Sequence, residues 1–141
     1  MSPRLTKASA REVLALLRAA YPGAGPELNF TNPYETLVAT MLSAQSTDVQ
    51  VNKVTPRLFL DFPSMESMAA ATPEQVFPYV RSCGFASKAT NIVLACRQMM
   101  AEHHGQVPDT MEGLTSLPGV GRKTANVVLA NAFGVPSIAV D

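Results

Sequence analysis

The chain has 141 residues, 47% of them hydrophobic and only 16% charged, which excludes a disordered chain and fits one domain with a buried core. Eleven Lys+Arg balance eleven Asp+Glu, so bulk positive charge cannot underlie nucleic-acid binding, although a local backbone site for a phosphate needs little net charge. No apolar run approaches the length of a membrane span, and the polar start Met1-Ser2-Pro3-Arg4 has no signal-peptide core.

An alanine-rich composition, seven methionines and no alternating β-branched runs predict helices, and the chain reads as a series of them. Ser9-x-x-Glu12 predicts a capping box ahead of Val13, Leu14, Leu17 and Ala20, stopped by Pro22-Gly23. Asn32-Pro33 supplies an N-cap and a first-turn proline before Tyr34, Leu37, Val38, Met41 and Leu42, the cleanest helical period in the sequence. A helix is predicted from Thr47 towards Phe59 with Val51, Val54 and Leu58 inward, ended or kinked at Pro56. Ser64 opens a short segment through Ala70, and Thr72-Pro73-x-Gln75 opens another with Val76 and Val80, interrupted at Pro78.

Ser87 to His103 is a strong helical pattern, with Ala89, Ile92, Val93, Cys96, Met99 and Met100 on one face, His103 and His104 in the last turn and Gly105 as terminator. Adjacent histidines on a helix point about 100° apart and cannot chelate together. Asp109-x-x-Glu112 is expected to cap a short helix through Leu117. A final helix, from about Arg122 to Phe133, buries Ala125, Val128, Leu129 and Ala132 and stops at Gly134. Eight helical segments and no strand candidate define an all-α fold. Cys83 and Cys96 form no C-x-x-C pair, so a reducing cytoplasm and small buried thiols are expected, with no cysteine-held metal.

The chemistry concentrates in Leu117-Pro118-Gly119-Val120-Gly121-Arg122-Lys123-Thr124. Pro118 ends one helix, two glycines allow a tight turn, and the next helix begins at once. Its unpaired N–H groups and positive dipole end then face whatever meets the turn, a backbone phosphate site that needs no basic side chain. Val120 is expected to be exposed at the tip, packing near a sugar. For a lone G-x-G, a plain helix–helix turn is the competing reading.

The full eight-residue string is far more specific, and it resembles the helix-hairpin-helix signature of base-excision DNA glycosylases. Leu42-Ser43-Ala44-Gln45-Ser46-Thr47-Asp48, Thr124-Ala125-Asn126-Val127-Val128-Leu129 and Pro136-x-Ile138-Ala139-Val140-Asp141 extend the likeness to the endonuclease III family, from about Ala10 to Asp141. The resemblance implies a helix-hairpin-helix glycosylase fold: an N-terminal helix within 1–22 and a six-helix barrel-like domain over 23–141, with the hairpin motif at about 112–133. It implies a DNA N-glycosylase that removes oxidised pyrimidines and cleaves abasic sites by β-elimination, working on double-stranded DNA in a nucleoid-associated cytoplasmic setting.

Carried over onto this sequence, the nucleophile is Lys123 and its partner is Asp141. A lysine must be neutral to attack carbon, and the first turn of a helix beside Arg122 is a positive setting that disfavours a second cation. Asp141 can stabilise a cationic sugar and assist proton transfer. DNA contacts fall on Pro118, Gly119, Val120, Gly121, Arg122 and Thr124. Gln45 is implied to enter the duplex, and Phe85 takes the opposing wedge position, where family members often have an aliphatic residue. On the residues alone, Phe85 reads equally as a core aromatic and Gln45 as a loop-capping amide. Arg81, Lys88 and Arg97 lie in a stretch without acids and read as a solvated helix face or as phosphate contacts.

In the family the chain continues past the aspartate into further helices and four cysteines that hold a [4Fe-4S] cluster. This sequence ends at Asp141, so a cluster is not expected in this chain, and Val13, Leu14 and Leu17 are expected to form an exposed face open to self-association. A catalytically silent DNA-binding module and a helical interaction domain without nucleic acid are the alternative functions.

Overall fold

A computed structural model of the chain describes residues 32–134; the helix expected over Val13, Leu14 and Leu17, and Asp141, lie outside the described residues. Among the described residues there are seven α-helices, one 3-10 turn and no strand. They are α1 (Pro33–Ser43), α2 (Asp48–Asp61), α3 (Met65–Ala70), α4 (Pro73–Val80), the 3-10 turn Arg81–Cys83, α5 (Ala86–Glu102), α6 (Met111–Thr115) and α7 (Arg122–Phe133).

Side-chain caps set most of the starts. The Asn32 carboxamide accepts from the Glu35 N–H at 2.8 Å, Thr47 caps α2, and Ser64 and Thr72 form reciprocal boxes with Ser67 and Gln75. Each such cap is worth about 1 kcal/mol. The cap of α6 is Thr110 and not Asp109: its hydroxyl accepts from the Gly113 N–H at 3.0 Å, one residue later than the acidic pattern suggests.

Two prolines are passed over by their helices. α2 runs unbroken through Pro56 to Asp61, and α4 through Pro78 to Val80. Both prolines are exposed, so the hydrogen bond each ring removes is lost where water can replace it. Burial of Val51 and Leu58 in α2, and of Val76 and Val80 in α4, at roughly 2 kcal/mol per side chain, outweighs that loss.

The long helix α5 is the centre of the packing, with α1, α3 and α4 against it, while α1 also packs on α2 and α7, and α6 on α7. Ala89, Ile92, Val93, Ala95, Cys96 and Met99 of α5 are buried, whereas Met100 is 37% exposed and off the inward stripe. They meet Leu37, Val38 and Leu42 of α1, Met68 of α3, Val76 and Val80 of α4, and Ala125 and Val128 of α7 in one core. His103 is the C-cap of α5; His104 lies beyond the helix in the left-handed region with Gly105, whose N–H reaches back to the Met99 carbonyl at 3.0 Å. That closing bond, and not continued helix, is what the histidines belong to.

Candidate nucleic-acid interface

The hairpin between α6 and α7 is built by two backbone hydrogen bonds and one unusual backbone angle. The Leu117 N–H donates to the Leu114 carbonyl and the Val120 N–H to the Leu117 carbonyl, both at 3.1 Å. Gly119 between them has φ +76, which a side-chain-bearing residue adopts only under strain. A β-carbon there would also stand 2.7 Å from the Asn91 Cβ of α5, so the turn lies directly on that helix.

Gly121 differs. Its φ of −92 suits any residue, and a β-carbon would meet nothing within 4 Å, so the space in front of it is open. It is the N-cap of α7, where no side chain caps the helix and no acid occupies the first turn. The leading N–H groups of α7 therefore have no side-chain acceptor and face outward with the positive end of the dipole. Arg122 and Lys123 are exposed in that same turn and Thr124 is half-buried.

Val120 does not sit at an exposed tip. It is 6% exposed and belongs to the core with Leu117 and Leu114. An isopropyl group between two glycines anchors the turn inward, which leaves the backbone of Gly119 and Gly121 as the outer surface.

Gln45 and Phe85 both stand exposed on tight turns. Gln45, between α1 and α2, has φ +62. Phe85 is 77% exposed and forms the N-cap of α5, which sets aside its reading as a core aromatic. Lys88, one turn into α5, ties the two turns together: its Nζ donates to the carbonyls of Leu42 at 2.8 Å, Cys83 at 2.5 Å and Ala44. Burial lowers the Lys88 ammonium below the ordinary lysine range, an effect the neighbouring Cys83 opposes. Arg97 is engaged likewise, donating from Nε to the Ala69 carbonyl at 3.0 Å and from Nη2 to that of Ala71 at 2.7 Å, at the end of α3. Both cations donate to main-chain carbonyls; Lys88 is half-buried, whereas Arg97 remains exposed on the helix face.

Comparison with known proteins decides the family. Residues 38–141 match the model of the HhH-GPD superfamily base excision DNA repair protein. The chain belongs to the HhH-GPD superfamily. Within it, the chain is similar to the endonuclease III of Synechocystis, 49% identical over 130 residues, which are 92% of this chain and 59% of that protein. It is similar also to that of Escherichia coli K12, 47% identical over 138 residues, 97% of this chain and 65% of the relative. The chain thus spans less than two thirds of these relatives. Two solved structures, a trapped endonuclease III–DNA covalent intermediate with an estranged adenine and a non-covalent endonuclease III–DNA complex, each superpose with a TM-score of 0.79. Each is 45% identical, over 96% of this chain and 64% of the other.

In this HhH-GPD chain, α5 carries the organisation that sequence reading passes over. Phe85 at its cap, Lys88 holding the Gln45 turn and Asn91 beneath Gly119 recur every three residues along its first two turns. The spacing was available in the sequence, but a lysine and an asparagine on an apolar helix give no sign of inward partners. Of the two residues expected to be catalytic, Lys123 lies exposed at the start of α7, and Asp141 is outside the described residues. No described group of three or more His, Cys, Asp or Glu could hold a metal ion, and Cys83 and Cys96 are free buried thiols, so these residues do not fit an iron–sulfur cluster.

Proposed function

We propose that this chain carries the DNA-processing site of a bifunctional DNA glycosylase of the endonuclease III kind, which removes oxidised pyrimidines and cleaves the abasic site that remains. The observation that carries the reading is the uncapped start of α7 behind the Pro118–Gly121 turn, with Gly121 open outward and Lys123 exposed in the first turn. Duplex phosphate accepts from the leading N–H groups, with Gly121 letting the backbone approach closely, Gly119 seating the turn on α5, and Arg122 and Thr124 flanking the contact. This places Lys123 beside the strand without any net positive charge on the protein.

The chemistry follows from a primary amine beside a sugar. Neutral Lys123 Nζ attacks C1′; the C1′–N bond to the base breaks, and the base leaves with that electron pair and takes up a proton. Loss of a proton from the nitrogen and opening of the sugar ring give an iminium. Removal of a C2′ proton then expels the 3′ phosphate oxygen with its bonding pair, and water releases the lysine. Asp141 is the group proposed to stabilise the cationic sugar and shuttle protons. Gln45 and Phe85 fill the space a displaced nucleotide leaves, a step that costs a few kcal/mol of lost stacking.

A duplex with one abasic site and a second duplex with one oxidised pyrimidine test the proposal. Strand cleavage on the first and base release on the second, both lost in Lys123→Ala, are expected. Salt-sensitive binding without cleavage leaves a silent DNA-binding module, and no binding at all leaves a helical interaction domain.

A further inference from the structure

We propose that Lys88 is a positioning residue that locks the Gln45 turn to the Phe85 turn, so that the two side chains enter a duplex as one unit. The inference rests on the function proposed above, but the lock itself is a property of the free protein.

An ammonium has three N–H bonds and no acceptor, and Lys88 spends all three on main-chain carbonyls from two different segments. Leu42 belongs to the last turn of α1, where carbonyls lack helical partners and where α1 has no basic residue of its own. Lys88 supplies that missing cation from another helix, at the negative end of the α1 dipole. Ala44 lies next to Gln45, so the bond to its carbonyl steadies a residue held at φ +62, a region costly for a non-glycine. Cys83 lies two residues before Phe85, and Gly84 between them has φ +138 with the Lys88 side chain lying over it: a β-carbon there would be 3.2 Å from Cε and 3.3 Å from Nζ.

Two further ties cross the same gap. Gln50 Nε2 donates to Ser82 Oγ at 2.7 Å, and the Ser46 hydroxyl hydrogen-bonds the Cys83 sulfur. Such redundancy is what two wedges need if they are to act in register, because an independently mobile wedge loses ordering entropy on every insertion. The charge of Lys88 is therefore used inside the protein and not on DNA.

The test uses the full chain and a duplex with 2-aminopurine beside an abasic site, whose emission rises when the stack opens. Lys88→Met keeps the length of the side chain and removes its donors. It is expected to reduce the emission rise about fivefold while affinity for undamaged duplex changes less than about twofold, since the lost carbonyl contacts loosen the turns and leave the α7 phosphate contact alone. Lys88→Arg, which keeps charge and donors, is expected to recover at least about half of the rise. A full wild-type rise in Lys88→Met overturns the proposal. If Lys88→Met does not fold, Lys88→Gln takes its place: the shorter neutral side chain cannot reach all three carbonyls, a fall of at least about twofold is expected, and a full wild-type rise overturns the proposal.

If the wild-type chain binds no duplex, the functional reading fails and the lock is judged alone, by hydrogen exchange over residues 43–46 and 82–85. Exchange at least about tenfold faster in Lys88→Met supports it, and unchanged exchange overturns it.

Discussion

Asn91 stands directly beneath Gly119: a β-carbon added at 119 would lie 2.7 Å from the Asn91 Cβ, 2.8 Å from Nδ2 and 2.9 Å from Cγ. Position 119 is therefore restricted twice, by its φ of +76 and by a helix that cannot recede, since the nearest atom is a β-carbon and not the far end of a flexible chain. Gly119→Ala is expected to lower stability by about 2 kcal/mol in urea unfolding. Adding Asn91→Ala is expected to restore only part of it, because the Asn91 Cβ remains. Stability within about 0.5 kcal/mol of wild type contradicts this account of the turn.

Gly121→Ala separates folding from binding. Nothing lies within 4 Å of the added carbon and the backbone angle suits alanine, so stability is expected to stay within about 0.5 kcal/mol. If a phosphate approaches the open face of this glycine, the methyl group obstructs it, and duplex affinity is expected to fall about tenfold by fluorescence anisotropy. Unchanged affinity shows that DNA does not approach there.

Phe85→Ala is expected to leave the urea midpoint almost unmoved, since the ring is 77% exposed, whereas Ile92→Ala in the core is expected to cost about 2–5 kcal/mol. The same Phe85 variant is expected to lose most of the unstacking of an abasic duplex. A large stability loss places the ring in the core instead.

Much of this was legible in the sequence. Helix positions came from capping residues and apolar period, and of the α7 stripe Ala125, Val128 and Leu129 are buried as the spacing predicts, while Ala132, near the helix end, is only half-buried. The hairpin was found through its glycines, yet the sequence could not tell that Gly119 answers to a neighbour and Gly121 to open space, which depends on where α5 passes. Val120 was misplaced because a G-x-G turn looks exposed from its flanks, while burial of an isopropyl group is decided by tertiary packing. Pro56 and Pro78 were read as breakers by local rule, and the core overrode them. The carbonyl partners of Lys88, and of Arg97 on its exposed face, were not legible because carbonyl acceptors leave no mark in a sequence.

Alkaline pH should expose the buried thiols. Burial pushes the Cys96 thiol up to about 12, and burial also raises Cys83, with hydroxyls of Ser46 and Ser82 and the Lys88 charge pulling the other way. The folded protein thus holds protons that the unfolded chain releases from about pH 9, so stability is full below that pH and falls as pH rises towards 12. At pH 10 the Cys96 contribution to the loss is about 1 kcal/mol. Urea midpoints at pH 7 and pH 10 are expected to draw closer in Cys96→Ala; an unaltered difference contradicts the assignment.

The most direct test of the central claim is borohydride trapping on a duplex carrying one abasic site. The reductant converts an iminium between Lys123 and C1′ into a stable amine, so wild-type protein is expected to give a covalent protein–DNA adduct on a denaturing gel and Lys123→Ala none. Absence of the adduct in a chain that binds the duplex and shows intact helical circular dichroism, or an adduct that persists in Lys123→Ala, contradicts the proposal that Lys123 is the nucleophile.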